Sequence, residues 1–215
     1  MTQAKHEIEW EGFYEQFNQQ HPVKFQNMTI TADGSIQGQG SDDVGGFNIS
    51  GKISEDGSVK FEKAYHGKHA VNYAGTLNSG KIIGEWSVQG SKGGFEVHMK
   101  TKQWKGENII SAPAGGQSPG GAKPTPVVIS LDFDPHGIKI CGIGSDEKGN
   151  FNIRGVCPEE FNRSVISLEK IYFDKKHEKH FMSGVLTKEN GQELILGNWI
   201  IPGKESGSFR LVKQN

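Results

Sequence analysis

The chain has 215 residues, a mass of 23.6 kDa and a formal net charge of −1. Glycine supplies 30 residues, about 14% of the chain against roughly 7% in average proteins, whereas apolar residues reach only 33%. So little apolar side-chain volume argues against one deep core and favours two shallow cores. The balanced charge gives no electrostatic basis for nucleic-acid binding, and the glycines lack the three-residue period of collagen.

The N-terminus and the cysteines indicate the cellular compartment of the protein. No apolar run of signal-peptide length follows Met1, and no segment approaches the roughly 18 to 20 apolar residues of a membrane span. Only Cys141 and Cys157 are present, on opposite faces of the strands predicted below, so we expect no disulfide. These features predict a cytoplasmic protein without a membrane span, with an organelle or a cilium as alternatives.

An internal repeat organises the chain. Residues 38–51 match residues 142–155 at an offset of 104, with nine identities in 14 positions. Shorter matches follow in the same order, at 62–65 with 169–172, 84–86 with 197–199 and 95–97 with 209–211. The sequence therefore predicts a tandem duplication.

The tryptophans indicate where each copy begins. Each copy has two at matching positions, in the pairs Trp10 with Trp104 and Trp86 with Trp199. We therefore predict a tail at 1–7, a first unit at 8–101 and a second unit at 102–215. The Pro/Gly-rich stretch 111–126 is then an enlarged loop inside the second unit. The alternative is an interdomain linker, with Trp104 in the first unit.

Within the first unit, apolar and polar residues alternate over short runs, which is the period of half-buried strands. Turn signals separate the runs, at 32–34, 55–57, 78–80 and 92–94. The pattern predicts an all-β unit of seven or eight antiparallel strands. Its first segment, from Trp10 to Phe17, would also present one aromatic face as a helix.

The excess of glycine is explained if each predicted sheet closes. An open eight-stranded sheet would leave two exposed edges, and closure into a barrel removes both. Glycines on the inward face allow strands to bend and leave room for large neighbours; those of the first unit are Gly38, Gly40, Gly51, Gly75 and Gly84. We predict two tandem up-and-down barrels, with a joint β-sandwich of both repeats as the alternative.

A family resemblance is carried by three motifs. The first unit contains Trp-x-Gly-x-Tyr at 10–14, Gly-x-Gly-x-Asp-x-x-Gly-x-Phe-x-Ile-x-Gly at 38–51 and Ile-x-Gly-x-Trp at 82–86. It resembles a small Gly/Trp-rich β-barrel module of uncharacterised microbial and protist proteins. The second unit departs from the pattern at 173–175 and around His180. In strand order and size the units also resemble avidin-like and other calycin barrels. The resemblance implies a barrel and no particular reaction.

One lysine in each unit falls on the inward face. Lys63 follows Val59 and Phe61 in the alternation, and Lys170 repeats its position in the second unit. A buried ammonium group needs a partner. On one interpretation, Lys63, Tyr65 and His69 together bind an anionic or carboxylate-bearing ligand at the barrel mouth. The alternative is a structural ion pair with an aspartate of the Gly-rich turn, or a lysine that extends to solvent at the rim.

The candidate ligand-binding residues occupy matched positions. They are Asp42, Lys63, Tyr65, His69 and Trp86 in the first unit, and Asp146, Lys170, Tyr172, His177 and Trp199 in the second. The two aspartates also fit ordinary turn chemistry, and the tryptophans also fit a role as core side chains. The histidines near 66–69 and 177–180 lack the spacing of a zinc site, and no catalytic motif is present. We predict no cofactor, no metal and no catalytic residue.

Three functions are compatible with this pattern. The first is a non-enzymatic interaction or structural subunit of a larger protein assembly, which contacts its partners through the barrels and the loop at 111–126. The second is a carrier of a small anionic or apolar ligand, with a calycin-like cavity near Lys63 and another near Lys170. The third is a calycin-like enzyme, which rests on the analogy of fold alone.

Overall fold

The computed structural model describes residues 9–31, 33–54, 56–78, 80–110, 124–133, 139–158, 164–173 and 179–214. It divides the chain into two compact units, Met1–Thr101 and Lys102–Asn215. The described residues of both units are strands and turns, without a helix. The prediction of an all-β chain is therefore confirmed.

The first unit is a closed antiparallel barrel in which each strand pairs with the next and β8 pairs back with β1. Its strands are β1 Trp10–Gln16, β2 Gln19–Ile30, β3 Ser35–Ser41, β4 Gly46–Ile53, β5 Ser58–Tyr65, β6 Ala70–Asn78, β7 Lys81–Val88 and β8 Ser91–Met99. Their inward side chains form an apolar core in which aromatic rings of neighbouring strands meet edge to face, such as Phe47 with Tyr65.

The second unit repeats this topology, and its first strand, β9, closes the barrel against β16. Its strands are β9 Lys102–Ile110, β10 Thr125–Phe133, β11 Lys139–Asp146, β12 Gly149–Val156, β13 Val165–Tyr172, β14 Lys179–Glu189, β15 Gln192–Ile201 and β16 Glu205–Lys213. Two tandem eight-stranded barrels are thus confirmed. The joint sandwich is wrong, because each sheet pairs its own last strand with its own first and leaves no free edge.

The predicted tail and loop fall partly outside the described residues. Residues 1–7 and 111–123 lie there. Thr125 and Pro126, which the sequence placed in the Pro/Gly-rich loop, belong to β10 instead. Trp104 lies in β9, opposite Ile129 of β10. No described segment is a helix of the length and apolar character that a membrane crossing requires.

The structure resolves one local ambiguity and corrects one turn. The first segment, for which a helix was the alternative, is strand β1, and Phe17 lies beyond its end in a turn and is 89% exposed. The turn predicted at 92–94 is instead formed by Gln89 and Gly90, and residues 92–94 lie within β8. Gly93 meets a spatial requirement there, because β1 and Trp86 approach it too closely for a side chain.

Inward glycines allow neighbouring strands to approach closely. A Cβ atom on Gly84 would lie 2.0 Å from the carbonyl oxygen of Ala74 and 2.4 Å from Cα of Gly75, the residue opposite it on β6. On Gly40 it would lie 2.5 Å from the Phe47 ring. The excess of glycine therefore serves barrel closure, as the sequence predicts.

Candidate functional site

The site in the first barrel is built from a tight turn and one strand. Asp42 begins the turn between β3 and β4, and Lys63 lies near the end of β5, on the inward face. The lysine residue is 1% exposed and the side chain of Asp42 is fully buried. The Nζ of Lys63 forms an ion pair with Oδ2 of Asp42. The structure thus forms the ion pair that the sequence offered as the alternative to a ligand contact.

Asp42 is held by four donors. Its Oδ1 accepts hydrogen bonds from the backbone amides of Val44 at 2.9 Å and Gly45 at 3.3 Å. Its Oδ2 accepts the hydroxyl of Tyr65 at 2.6 Å in addition to the ammonium of Lys63. The carboxylate therefore fixes the turn and compensates the buried charge at the same time.

Two further tyrosines cover Lys63. The Nζ atom lies 5.2 Å from the ring centroid of Tyr14 and 5.7 Å from that of Tyr73, whose hydroxyl is 3.5 Å away. Tyr14 is fixed by a 2.7 Å hydrogen bond from its hydroxyl to Asp43. Both tyrosines are buried. We call Tyr14 and Tyr73 the tyrosine cover.

The cluster keeps its phenols protonated. Burial raises the pKa of Tyr65 far above its usual range, and the hydrogen bond to Asp42 raises it further. Burial and the nearby carboxylates act in the same direction on the pKa of Tyr14 and of Tyr73. Burial lowers the pKa of Lys63, and Asp42 opposes that shift. The three phenols therefore stay neutral and none is a base; Tyr14 and Tyr65 donate to carboxylates, whereas the hydroxyl of Tyr73 accepts from Lys63.

The second barrel repeats the central cluster. Lys170 on β13 is 3% exposed and forms an ion pair with Oδ2 of Asp146. The same oxygen accepts the hydroxyl of Tyr172 at 2.6 Å, and Oδ1 accepts the backbone amide of Lys148 at 2.9 Å. Burial lowers the pKa of Lys170 to about 8, against the opposing effect of Asp146, and the positive charge of Lys148 adds to the decrease.

The second barrel differs from the first where the cover would lie. The residue of β9 opposite Phe209 is Asn108, whereas the residue of β1 opposite the matching Phe95 is Tyr14. The residue of β14 opposite Trp199 is Met182, whereas Tyr73 lies opposite the matching Trp86. Asn108 and Met182 thus replace the tyrosine cover with two shorter side chains.

A pocket opens at these positions. It is lined by Lys170, Asp146 and Tyr172, with Asn108, Met182 and Trp199 among the surrounding side chains, and about 40 Å³ of it admits water-sized molecules. We call it the Lys170 pocket. His180 also lines it, and its ring is stacked on Trp199 with 5.8 Å between centroids. The pocket therefore combines one buried ion pair with a wall that includes the rings of Tyr172, His180 and Trp199.

Hydrogen-bond donors without a described partner distinguish the Lys170 pocket from the site beneath the tyrosine cover. Among the described residues, Nζ of Lys170 donates only to Asp146, although an ammonium group has three donors. The indole Nε1 of Trp199 is buried and has no hydrogen-bond partner in the described part of the chain. The matching Nε1 of Trp86 donates to the carbonyl of Glu15 at 3.0 Å. Buried donors of this kind are rare and call for an explanation.

The structure brings together most of the residues singled out from the sequence. Asp42, Lys63 and Tyr65 form one cluster, and the ring of His69 contacts that of Tyr65 with 5.4 Å between centroids. Trp86 joins it indirectly, because it packs edge to face against Tyr14. In the second unit Asp146, Lys170, Tyr172 and Trp199 all line the pocket, and His177 lies outside the described residues.

Sequence reasoning missed the residues that make the two sites unequal. These are Tyr14, Tyr73, Asn108, Met182 and His180. A signal for them existed, since the second copy departs from the repeat pattern around His180. No group of three or more histidine, cysteine, aspartate or glutamate side chains within the described ranges is placed to hold a metal ion.

Comparison with known proteins gives distant similarities of fold. No protein-family model matches the chain, and no curated protein matches it. Among solved structures, an agglutinin from Burkholderia oklahomensis is 11% identical, with 96% of this chain and 94% of that chain covered and a TM-score of 0.25. A protein with unknown function from Nostoc punctiforme is 9% identical, with coverages of 97% and 95% and a TM-score of 0.30.

A mutant of transferrin binding protein B from Haemophilus parasuis is 9% identical, with 94% of this chain and 66% of that chain covered and a TM-score of 0.33. This chain thus spans about two thirds of the length of that protein. Scores this low transfer no function to this chain.

Proposed function

We propose that the protein is a non-enzymatic binding protein in which the second barrel binds a small ligand and the first barrel is structural. The observation that carries the proposal is the replacement of the tyrosine cover by Asn108 and Met182 around an otherwise repeated cluster. A duplicated scaffold that keeps a buried ion pair but loses the side chains above it gains room for a ligand.

The charges of the Lys170 pocket favour an uncharged ligand group. Lys170 is already neutralised by Asp146, and the neighbouring Lys148 is paired with Glu205 at 3.3 Å. Glu147 adds a further negative charge to the lining. An incoming carboxylate would have to lose its hydration without an unpaired cation to compensate it. We therefore propose, in place of the anionic ligand expected from the sequence, a ligand whose buried group is a neutral hydrogen-bond acceptor.

The size of the pocket limits that group. The space of about 40 Å³ holds roughly three water molecules, or a headgroup of about three or four non-hydrogen atoms. Lys170 would donate to its acceptor atom, and the aromatic walls formed by Tyr172 and Trp199 would contact its apolar part. A ligand of this kind has a small carbonyl, amide or hydroxyl headgroup, with any larger part at the mouth of the pocket.

Restoring the cover should close the pocket. In the double variant Asn108→Tyr/Met182→Tyr, we expect ligand-observed NMR to lose the saturation transfer that acetamide shows with the wild-type chain at about millimolar affinity. Acetate, of equal size but charged, should give a weaker signal with the wild type. The two new tyrosines copy the first barrel, whose packing shows that the cluster accommodates them.

The matched control is the reverse exchange, Tyr14→Asn/Tyr73→Met, which should add a second acetamide site beside Lys63. Equal acetamide signals from the wild type and from the Asn108→Tyr/Met182→Tyr variant would contradict the proposal. So would an acetate signal stronger than that of acetamide.

A specific surface favours a second function, that of an assembly subunit. The outward side of β14 and β15 carries two directly opposed apolar pairs, Phe181 with Ile200 and Val185 with Leu196, all 41 to 50% exposed. The position that matches the first pair in the first barrel holds Asn72 opposite Ser87. Apolar pairs of this kind on the outside of a barrel are typical of protein contacts.

Exchanging one pair tests this second function. The variant Phe181→Asn/Ile200→Ser copies the polar pair of the first barrel and should fold normally. In native purification from cells that make the protein, we expect it to lose a stoichiometric protein partner that the wild type retains. A wild-type chain recovered alone, or a partner that the variant retains, would contradict this function.

A further inference from the structure

We propose that Lys170 binds small aldehydes covalently, as an imine formed on its Nζ atom inside the Lys170 pocket. The proposal deepens the proposed function and rests on it, since a headgroup must first enter the pocket. It assigns to the second barrel a chemistry that the first barrel, with the same lysine beneath a tyrosine cover, does not have.

Access to the amine is the first requirement. Lys170 lines the pocket, and the position from which the Tyr73 hydroxyl reaches Lys63 in the first barrel is held by Met182. A thioether is a poor hydrogen-bond acceptor. The side of Nζ that Asp146 does not occupy therefore faces no strong acceptor among the described residues, and a carbonyl carbon can approach it there.

The second requirement is a counterion that stays paired with the nitrogen before and after the reaction. Imine formation replaces the ammonium group with a protonated imine of the same charge on the same nitrogen. Asp146 can stay ion-paired with it, because Tyr172 and the backbone amide of Lys148 hold the carboxylate in place independently of Lys170. The buried charge is thus compensated before and after the reaction.

The lowered pKa of Lys170 also favours the reaction, because it increases the fraction of neutral amine. Burial lowers the pKa of Lys170 to about 8, whereas an exposed lysine has a pKa near 10.4. At pH 7 the fraction of free amine is therefore roughly two orders of magnitude larger. The charged and titratable groups that line the pocket around it are Asp146, Glu147, Lys148, Tyr172 and His180.

The reaction balances without an oxidant or a reductant. The lone pair of the neutral Nζ attacks the aldehyde carbon, and the carbonyl oxygen takes up a proton. The resulting carbinolamine takes up a second proton, which replaces the one that the ammonium group released to give the neutral amine, and loses its oxygen as water while the C=N bond forms. The nitrogen keeps one proton and a positive charge. The overall change is ammonium plus aldehyde to protonated imine plus water, and hydrolysis reverses it.

Reductive trapping tests the proposal in the full-length chain. Propanal and sodium cyanoborohydride convert the imine into a stable propylamine, which peptide mapping by mass spectrometry locates. At pH 7 we expect Lys170 to be propylated at least about tenfold faster than exposed lysines such as Lys60, and Lys63 to be the slowest. With rising pH, the rate at Lys170 should reach half its maximum near pH 8 and level off above it, whereas the rate at exposed lysines should keep rising.

Two controls and the measurement of acetamide binding separate the possible outcomes. The Asn108→Tyr/Met182→Tyr variant should lose the fast labelling of Lys170, and denaturant should make Lys170 and Lys63 equally reactive. Propylation of Lys170 no faster than that of exposed lysines would overturn the imine. If acetamide still bound in that case, the pocket would bind its ligands without a covalent bond. If acetamide did not bind either, the proposed function would fail as well.

Discussion

Replacing Asp42 with asparagine is expected to destabilise the first barrel by about 3 kcal/mol or more. Asparagine keeps the oxygen that accepts the amides of Val44 and Gly45, so the turn is preserved. It removes the carboxylate that compensates Lys63, whose ammonium group is then buried without a counterion. Removing one partner of a buried pair costs more than the pair itself contributes, because the remaining charge stays desolvated.

Hydrogen exchange measured by mass spectrometry reports this loss for each barrel in the same sample. Peptides from β3 to β6 of Asp42→Asn should lose protection, whereas peptides from the second barrel, with its own Lys170 and Asp146 pair, should keep it. The double variant Asp42→Asn/Lys63→Met should recover most of the lost stability, since no charge is then buried. Unchanged protection in Asp42→Asn would show that the pair is not needed for stability.

The second large effect is expected from Gly93→Ala, which should cost about 3 kcal/mol of the stability of the first barrel. A Cβ atom on Gly93 would lie 2.1 Å from the carbonyl oxygen of Glu15 and 2.7 Å from Nε1 of Trp86. The first contact is with backbone, so β1 would have to move away from β8. The Trp86 indole would lose its hydrogen bond to the same carbonyl.

The neighbouring glycine is the control. On Gly94 the nearest atom to an added Cβ is Oε2 of Glu15 at 3.3 Å, at the end of a flexible side chain. Neither Gly93 nor Gly94 has a positive φ, so the backbone conformation accepts an alanine at both positions and the two variants differ only in the space for its Cβ atom. Urea unfolding followed by tryptophan fluorescence should therefore place Gly94→Ala within about 0.5 kcal/mol of the wild type. Equal losses in the two variants would contradict the close-approach argument.

Much of the barrel could be predicted from the sequence, because the relevant signals are local. Alternation of apolar and polar residues marks strands, and paired glycine and aspartate mark turns. The inward position of Lys63 follows from its alternation with Phe61 alone. The prediction of a turn at 92–94 is wrong because it, too, used only local signals. Gly93 is needed by residues distant in sequence, Glu15 and Trp86, and local patterns carry no information about such neighbours.

The unequal sites could not be predicted in this way. The cover of Lys63 comes from β1 and β6. Tyr14 is distant from Lys63 in sequence, and Tyr73 is recognised as its neighbour only once the register of β5 and β6 is known. The exchange of these tyrosines for Asn108 and Met182 is visible in the sequence as two unremarkable differences. Their shared position above one buried ammonium group is a property of the closed barrel.

The sequence alone is enough to predict a tandem duplication of glycine-rich antiparallel sheets with one inward lysine each. Alternation and turn chemistry depend on neighbouring residues, and the duplication is a direct match between two stretches of the sequence. The three-dimensional structure is needed to show that both lysines pair with the aspartate of their own Gly-rich turn, and that one lies beneath tyrosines while the other lines a pocket. Burial and hydrogen bonding depend on which strands meet across the core, and closure of each barrel sets those neighbours.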